Sequence, residues 1–278
     1  MSTVPTTETK TYHGSCHCGA FKFAVTVPEE LKKASTCTCS ICSKKATLWT
    51  SYLTLTPEEG TQESSLRTYT FNDKKAQHKF CPTCATSLVC EIPAYNMQVI
   101  NVRTFSDLDF RKLEIGSYDG AALPPAYVPP KYTGPEVVPG EGEKLYTGSC
   151  HCGALTLALR SKPLPDVAVK ECNCTICTKD SYILAYPNKD QVSLAVSSDH
   201  PDGLKEYMFG PHTLAHQFCG ICGVPIAIRV VGPPKAAIDG MSEAGKAIVE
   251  KKLQIRPINL HVLDGVEWDS LKITRDFD

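Results

Sequence analysis

The chain has 278 residues, of which 42% are hydrophobic, so it is long enough for two ordinary domains with cores of their own. Its 29 basic and 30 acidic residues nearly balance, which excludes a strong overall attraction to nucleic acid or to an anionic membrane. No stretch approaches the run of roughly 18 apolar residues that spans a bilayer, and the polar start MSTVPTTETK predicts no secretory signal. We therefore expect a cytoplasmic protein.

Short segments of alternating apolar and polar residues dominate the chain and are typical of strands. In chain order they lie at 21–27, 48–55, 66–71, 87–92, 97–105, 155–160 and 204–209. Short strands at such close spacing predict a mainly β protein built from compact antiparallel sheets. A segment at 239–253 has helical periodicity instead, around Ala244, Ala247, Ile248 and Leu253, and is interpreted as a helix or a mobile loop.

The chain also repeats itself, which indicates a duplicated domain. YHGSCHCGA at 12–20 returns as YTGSCHCGA at 146–154, and INVRTFSDLDFRKL at 100–113 returns as INLHVLDGVEWDSL at 258–271. Between these landmarks the cysteines recur in the same order. The second copy carries about twenty additional residues before its final strand.

These landmarks predict two tandem domains joined by a proline-rich segment. Prolines in that segment make it extended and semi-rigid, and it either packs along a domain surface or spans between the domains. The predicted divisions are a polar tail at 1–10, a first domain at 11–119, a linker at 120–143, and a second domain at 144–278 with an insertion near 229–254.

Fifteen cysteines are present, and their spacing favours metal binding over disulfides. They fall in C-x-C, C-x-C-x-x-C and C-x-x-C clusters, in which neighbouring sulfurs chelate one ion more readily than they bridge each other. Seven cysteines repeat per copy, and Cys90 alone has no counterpart.

Seven thiolates divide naturally into a closed site of four and an open site of three, because structural zinc takes four ligands and catalytic zinc keeps one position free. The predicted closed sites are Cys16, Cys18, Cys81 and Cys84, and in the second copy Cys150, Cys152, Cys219 and Cys222. The predicted open, catalytic sites are Cys37, Cys39 and Cys42, and in the second copy Cys172, Cys174 and Cys177. We therefore expect about four zinc ions per chain, two structural and two of catalytic type.

An alternative is that a fourth ligand closes the middle sites as well. His78 and His216 are candidates, and Cys90 is a candidate in the first copy, although its apolar SLVCEI context favours a core position. His17 and His151 lie inside the C-H-C turns and are interpreted as turn residues.

Several polar residues near the clusters have open roles. Cations after the middle clusters could receive a ligand carboxylate, and the matched asparagines could be site groups or strand-end hydrogen bonders. These residues are Lys44, Lys45, Lys179 and Asp180, the pair Asn101 and Asn259, and the pair Arg103 and His261.

The motifs G-S-C-H-C-G-A, C-x-C-S/T-I-C, H-x-F-C-x-x-C and I-N-V/L closely resemble those of the glutathione-dependent formaldehyde-activating enzymes, a family that includes the centromere protein V group. The resemblance covers both copies. It implies an Mss4-like β fold, structural zinc at the outer cysteine pairs, and catalytic zinc at the middle three cysteines. One departure is Ala85, where the second copy has the expected glycine, Gly223; an adjusted backbone is expected in the first copy.

The activity implied by the resemblance is that of a carbon–sulfur lyase, an S-(hydroxymethyl)glutathione synthase-like enzyme. Its partners would be a small thiol such as glutathione and a small electrophile such as formaldehyde, with no nucleic acid and no membrane. The alternatives are a non-catalytic, zinc-stabilised binding or scaffold protein and a zinc or thiol buffer. Because duplication can internalise a dimer, we expect a monomer or pseudo-dimer.

Overall fold

The computed structural model describes residues 9–73 and 75–276. Residues 1–8, most of the predicted N-terminal tail, lie outside the described residues. The chain divides into two compact units. The first contains the described residues up to Tyr127 together with Lys179–Ser181, and the second contains Val128–Thr178 and the described residues from Tyr182 onward.

The first domain is built from ten short strands. They are β1 (Lys10–Ser15), β2 (Lys22–Val27), β3 (Lys33–Cys37), β4 (Trp49–Ser51), β5 (Thr54–Glu59), β6 (Arg67–Tyr69), β7 (Gln77–Phe80), β8 (Ser87–Ile92), β9 (Met97–Asn101) and β10 (Glu114–Tyr118). Two short helices accompany them, α1 (Ser40–Lys45) and α2 (Gln62–Ser65).

These strands form two sheets. A three-stranded sheet has the order β1-β2-β5, and a seven-stranded sheet has the order β10-β3-β4-β9-β8-β7-β6. The predicted antiparallel arrangement is correct except at one edge, where β10 pairs with β3 in parallel. This pairing places the last strand of the domain beside the strand that ends at Cys37.

The second domain repeats this plan. Its strands are β11 (Lys144–Ser149), β12 (Leu155–Ser161), β13 (Val169–Glu171), β14 (Ile183–Ala185), β15 (Val192–Val196), β16 (Leu204–Tyr207), β17 (Leu214–Cys219), β18 (Pro225–Val230), β19 (Ile258–Asn259) and β20 (Ile273–Arg275). The orders are β11-β12-β15 and β16-β17-β18-β19-β14-β13-β20, so the strands follow the same sequence as in the first domain. The edge strand β20 again pairs in parallel, with β13.

Three helices belong to the second domain, and two of them fill the insertion. They are α3 (Thr175–Lys179), α4 (Lys235–Asp239) and α5 (Glu243–Leu253). The insertion therefore forms helices rather than an irregular loop, and Ser242 caps α5 by accepting from the backbone N–H of Gly245. No side chain of α5 is buried, so its apolar residues do not join the core. None of the helices in the described part of the chain is both long and apolar enough to cross a bilayer.

The corresponding strands β2 and β12 show how the linker affects packing. In β2, Phe23, Val25 and Val27 are buried and alternate with partly exposed residues, as expected for a sheet with one covered face. In β12 nearly every residue is buried. The second half of the linker covers its outer face: the Tyr132 hydroxyl donates to Ser193 Oγ at 2.6 Å, and the Thr133 N–H donates to Thr156 Oγ1 at 3.2 Å.

Two predicted strands are divided in the structure. The segment 48–55 contributes β4 to the large sheet and β5 to the small one, because the chain turns at Tyr52–Leu53. The segment 97–105 is a strand only to Asn101, after which a 3-10 turn covers Val102–Thr104. Alternation alone does not reveal these turns, since apolar residues continue through both.

Candidate metal centres

The outer cysteine pairs of each domain meet in a compact group of four sulfurs. In the first domain Cys18 Sγ lies 3.6 Å from Cys16 Sγ and 3.5 Å from Cys81 Sγ. All four sulfurs, including that of Cys84, lie within 4.8 Å of one another. A tetrahedral zinc with bonds of 2.3 Å to sulfur requires sulfur–sulfur distances of about 3.8 Å, so the group has the size that zinc needs.

The second domain assembles the equivalent group. Cys152 Sγ lies 3.5 Å from Cys150 Sγ and 3.6 Å from Cys219 Sγ, and Cys222 completes the set within the same 4.8 Å limit. Cys150, Cys219 and Cys222 are fully buried, at 0% exposure. Each group thus joins two turns of its domain, one between the first and second strands and the other between the seventh and eighth strands.

Two tight backbone turns position the four sulfurs. After β1, the Cys16 N–H donates to Phe21 O at 3.0 Å, and Gly19 supplies a positive φ of 78°. After β7, the Cys81 N–H donates to Thr86 O at 3.0 Å. Each turn therefore aims two sulfurs at one point, which explains the C-x-C and C-x-x-C spacings.

Ala85 does not have the adjusted backbone expected from the sequence. Its φ is 68°, in the left-handed region, and the φ of Gly223 at the matching position is 71°. The N–H of Ala85 donates to Cys81 O at 3.0 Å, and that of Gly223 donates to Cys219 O at 2.8 Å. The turn geometry is preserved, so the first copy carries the steric cost of a Cβ there, about 1–2 kcal/mol.

The middle cysteines form two groups of three sulfurs. Each trio comes from a strand end, the residue before a helix, and the first turn of that helix. In the first domain these are Cys37 at the end of β3, Cys39 at the N-cap of α1, and Cys42 within α1. The second trio consists of Cys172, Cys174 and Cys177, with Cys177 in α3. Helical geometry brings the second and third cysteines of each trio together, because they lie three residues apart.

Thiolate character is shared unequally within each trio. Hydrogen bonds from the thiols of Cys39 and Cys42 lower the pKa of Cys37 to about 2, while hydrogen bonds with Cys37 and Cys39 raise the pKa of Cys42. In the second trio a hydrogen bond from Cys177 lowers the pKa of Cys174 to about 5. Each trio thus has one sulfur that is readily held as a thiolate at neutral pH, which is the form that binds metal.

None of the alternative fourth ligands joins a trio among the described residues. The groups of possible metal-binding atoms contain Cys37, Cys39 and Cys42 in one domain and their three counterparts in the other, with no imidazole or carboxylate. His78 is buried and its ring lies near those of Trp49 and Phe71, with centroids 6.4 and 5.9 Å away.

The remaining candidate ligands occupy core or turn positions. His216 packs edge-on against Tyr182 at 5.5 Å. Cys90 is 5% exposed within β8, its Sγ lies 3.9 Å from His78 Nε2, and burial raises its pKa to about 12. Neither His17 nor His151 belongs to a group of possible ligands in the described chain. Cys90 is therefore the core residue that its apolar context predicts.

The matched asparagines are structural. Asn101 is fully buried; its Oδ1 accepts from the N–H groups of Leu48 and Arg103, each at 3.3 Å, and its Nδ2 donates to Ser87 O at 2.9 Å. Asn259 makes the same set of bonds in the second domain. Each asparagine therefore connects the neighbouring strands of the large sheet to the 3-10 turn that follows the asparagine in sequence.

The charged candidates next to the trios are largely withdrawn from solvent. Lys44 and Lys45 are 6% and 3% exposed, and Lys45 Nζ lies 4.7 Å from the ring centroid of Phe80. Burial lowers the pKa of Lys179 and raises that of Asp180 well above its usual range. These side chains do not provide a solvent-facing cation for a ligand carboxylate.

The matched pair Arg103 and His261 packs on aromatic rings. The Arg103 guanidinium lies 4.7 Å from the centroid of the Phe110 ring, and the His261 ring centroid lies 4.6 Å from that of Trp268, with the two planes tilted by 31°. Each residue of the pair therefore contacts an aromatic ring of its own domain.

Two residues of the first trio's surroundings were missed in the sequence. A Cβ on Gly120 would lie 2.5 Å from Cys37 Sγ, and the Gly120 N–H donates to that sulfur and helps lower its pKa. Trp49 Nε1 donates to Cys42 Sγ at 3.3 Å. Gly120 looked like the first residue of a linker, and only the parallel pairing of β10 brings it to the trio.

The donor sets fit zinc at all four places. Four or three sulfurs at these spacings suit a borderline-soft ion that prefers tetrahedral thiolate coordination. Fold and sites together define a tandem pair of mainly β domains, each with two cysteine groups that could hold a metal ion.

Comparison with known proteins gives the family. The profile of the family described as "Glutathione-dependent formaldehyde-activating enzyme" matches residues 11–114 and 145–258, so the chain belongs to this family and contains two of its domains. A Rhodobacter sphaeroides protein with a crystal structure from the Northeast Structural Genomics effort is also similar, with 20% sequence identity and a TM-score of 0.34. That match covers 46% of this chain and 98% of the other.

Proposed function

We propose that the protein is a zinc-dependent enzyme of the carbon–sulfur lyase type, which joins or cleaves the adduct between a glutathione-like thiol and formaldehyde or another small electrophile. The observation that carries the proposal is the pair of three-sulfur groups without a fourth ligand among the described residues. Three protein ligands and one free position are the usual arrangement of catalytic zinc. The family supports the same chemistry.

The reaction is an addition without redox change. In the joining direction the thiol sulfur bonds to the carbonyl carbon, and the proton lost by the thiol ends on the carbonyl oxygen. Zinc at a trio would supply a Lewis acid that lowers the pKa of the incoming thiol and holds it as a thiolate.

The residues around the first trio fix the cysteine sulfurs. The N–H groups of Cys39 and Gly120 donate to Cys37 Sγ, which orients this sulfur. Trp49 Nε1 donates to Cys42 Sγ, and Cys42 is buried. Such preorganisation keeps ligand geometry from changing as substrates bind and leave.

The second domain has an open cleft, and one residue that lines it, Tyr186, is influenced by the charges of the trio. This cleft of about 490 Å³ is lined by Tyr186, Arg160, Lys162 and Gln191 among others, which is within the range of small-molecule sites. Burial, followed by the negative charges of the Cys177 and Cys172 sulfurs, raises the pKa of Tyr186 to about 12. The phenol therefore remains protonated at neutral pH and can donate a hydrogen bond to a molecule in the cleft.

The test combines metal content with turnover. Protein purified without chelator or added zinc should contain about four zinc ions per chain by elemental analysis. The Cys39→Ser and Cys174→Ser variants should each contain about three, and the double variant about two. Cys90→Ala is the matched control, because this buried cysteine lies outside every group and its loss should leave the zinc content unchanged.

Turnover is measured as the exchange rate between free formaldehyde and its glutathione adduct, by magnetisation-transfer NMR. Each single variant should lose the contribution of one domain, and the double variant should fall to the uncatalysed rate. A double variant that loses two zinc ions yet exchanges at the wild-type rate would show that the trios are not catalytic. Wild-type protein with two zinc ions, even after zinc and glutathione are added, would favour a binding or scaffold protein instead.

A further inference from the structure

The two trios differ at one neighbouring strand position. In the first domain Trp49 lies on β4, and its indole N–H donates to Cys42 Sγ at 3.3 Å. Trp49 is 8% exposed and Cys42 is 5% exposed, so water hardly competes for this bond. A buried hydrogen bond from nitrogen to a cysteine sulfur draws negative charge away from that sulfur.

Strand register identifies the corresponding residue in the second domain. Trp49 pairs with Asn101, and Leu184 pairs with the matching asparagine, Asn259. Leu184 is 2% exposed and packs in one cluster with Cys177, the counterpart of Cys42. A leucine side chain has no donor, so the position that offers an N–H to Cys42 in the first domain offers none to Cys177 in the second.

Solvent exposure does not account for this difference between Cys42 and Cys177. Cys42 and Cys177 are both 5% exposed, and both belong to the short helix of their trio. The two sulfurs are thus matched in backbone position and burial and differ in the chemical character of the neighbouring side chain. Hydrogen bonds to sulfur are among the main means by which proteins adjust metal–thiolate centres.

We propose that Trp49 makes the two trios inequivalent: its hydrogen bond lowers the negative charge and nucleophilicity of the first trio's sulfurs, so the sulfurs of the second trio, which has Leu184 in the matching position, are the more nucleophilic. The inference rests on the proposed function, since it assumes that both trios bind metal. Trp49 acts through Cys42 and is therefore a positioning and tuning residue. The duplication then provides two chemically distinct centres instead of two copies of one.

The experiment uses Co(II) in place of zinc in the full chain, because thiolate-to-cobalt charge-transfer bands report the sulfur electrons directly. Subtracting the spectrum of the Cys39→Ser/Cys174→Ser double variant removes the four-sulfur centres. The Cys174→Ser single variant then isolates the first trio, and the Cys39→Ser single variant isolates the second. We expect the band of the first trio at shorter wavelength, because the hydrogen bond stabilises the sulfur lone pair from which the electron is promoted.

Two substitutions at Trp49 separate the hydrogen bond from packing. Trp49→Leu copies the second domain, and Trp49→Phe keeps an aromatic ring but removes the N–H. Each should move the first trio's band to longer wavelength, toward that of the second trio, whereas Leu184→Met should leave the second trio's band in place. Because Trp49→Phe preserves most of the ring volume, the test survives if Trp49→Leu fails to fold.

Alkylation gives a second readout. With zinc bound, Cys42 should react with iodoacetamide about twofold to tenfold faster in Trp49→Phe, the factor that corresponds to one net hydrogen bond, and Cys177 should serve as the unchanged internal reference. If Co(II) binds but Trp49→Phe changes neither the charge-transfer band of the first trio nor the alkylation rate of Cys42, this inference is overturned and the proposed function is not. Equal Co(II) content in wild type and the double variant would instead overturn the proposed function, and this inference with it.

Discussion

The closed and open centres should respond very differently to the loss of one ligand. The four-sulfur group of the first domain joins Cys18 to Cys81, 63 residues apart, and that of the second joins Cys152 to Cys219, 67 residues apart. Closing a loop of that length costs the unfolded chain about 4 kcal/mol of conformational entropy in the cross-link approximation.

The trios close far shorter loops. Cys37 and Cys42 bracket one strand end and the first turn of a helix. The same approximation gives about 2 kcal/mol for a loop of this size, and the neighbouring strands already order part of it. Cys18→Ser should therefore destabilise its domain by about 2 kcal/mol more than Cys39→Ser does.

The assay is urea unfolding followed by circular dichroism, with zinc content measured on the same samples. Most domains have only 5–15 kcal/mol of stability, so Cys18→Ser or Cys152→Ser should shift one transition strongly or leave that domain unfolded. Cys39→Ser and Cys174→Ser should keep both transitions and lose one zinc each. Equal destabilisation by the two classes of variant would refute the division into structural and open centres.

Three further outcomes follow from single positions. Gly223 and Ala85 both have a left-handed φ, in which alanine is more strained than glycine. In thermal unfolding, Gly223→Ala should cost about 1 kcal/mol, and Ala85→Gly should be neutral or stabilising by up to about 1 kcal/mol. The opposite order would contradict this reasoning. Gly120→Ala should remove one zinc while the domain stays folded, since its Cβ would clash with a trio sulfur; unchanged zinc content would argue against that contact. A hydrogen bond from Arg229 lowers the pKa of Glu206, so its stabilising effect is present above the unfolded pKa of about 4 and is lost as pH falls through the lower folded value. Glu206→Gln should thus be less stable than wild type in urea titrations at pH 7, and equal stability of the two proteins at pH 7 would be inconsistent with this ion pair.

The grouping of cysteines into fours and threes was predictable because ligand spacing is local. C-x-C and C-x-x-C motifs form turns whose geometry hardly depends on the rest of the fold, and the division of seven ligands into four and three indicated which pairs come together. The strand at 87–92 was also predictable, since its apolar run begins and ends where β8 does. Duplication supplied an internal check that a single copy would lack.

Contacts made through the sheets could not be predicted in this way. Gly120 reaches Cys37 only because β10 pairs in parallel with β3, a long-range pairing with no local signal. Trp49 looked like an ordinary strand residue, and its bond to Cys42 links a strand to a helix through side chains that no local motif marks. Ala85 shows a different limit: the metal-binding turn imposes its φ even where the residue disfavours it.

The parallel edge pairing also has a consequence for the order of events during synthesis. In each domain every sulfur of the four-cysteine group is present before the final strand is made, since Cys84 precedes Glu114 and Cys222 precedes Ile273. The strand that leads into the trio gains its outer neighbour only with that final strand. Domains fold as their segments leave the ribosome. The three cysteines of each trio are made earlier still, so a nascent chain holds all seven grouped cysteines of a domain before the edge strand completes the sheet beside the trio.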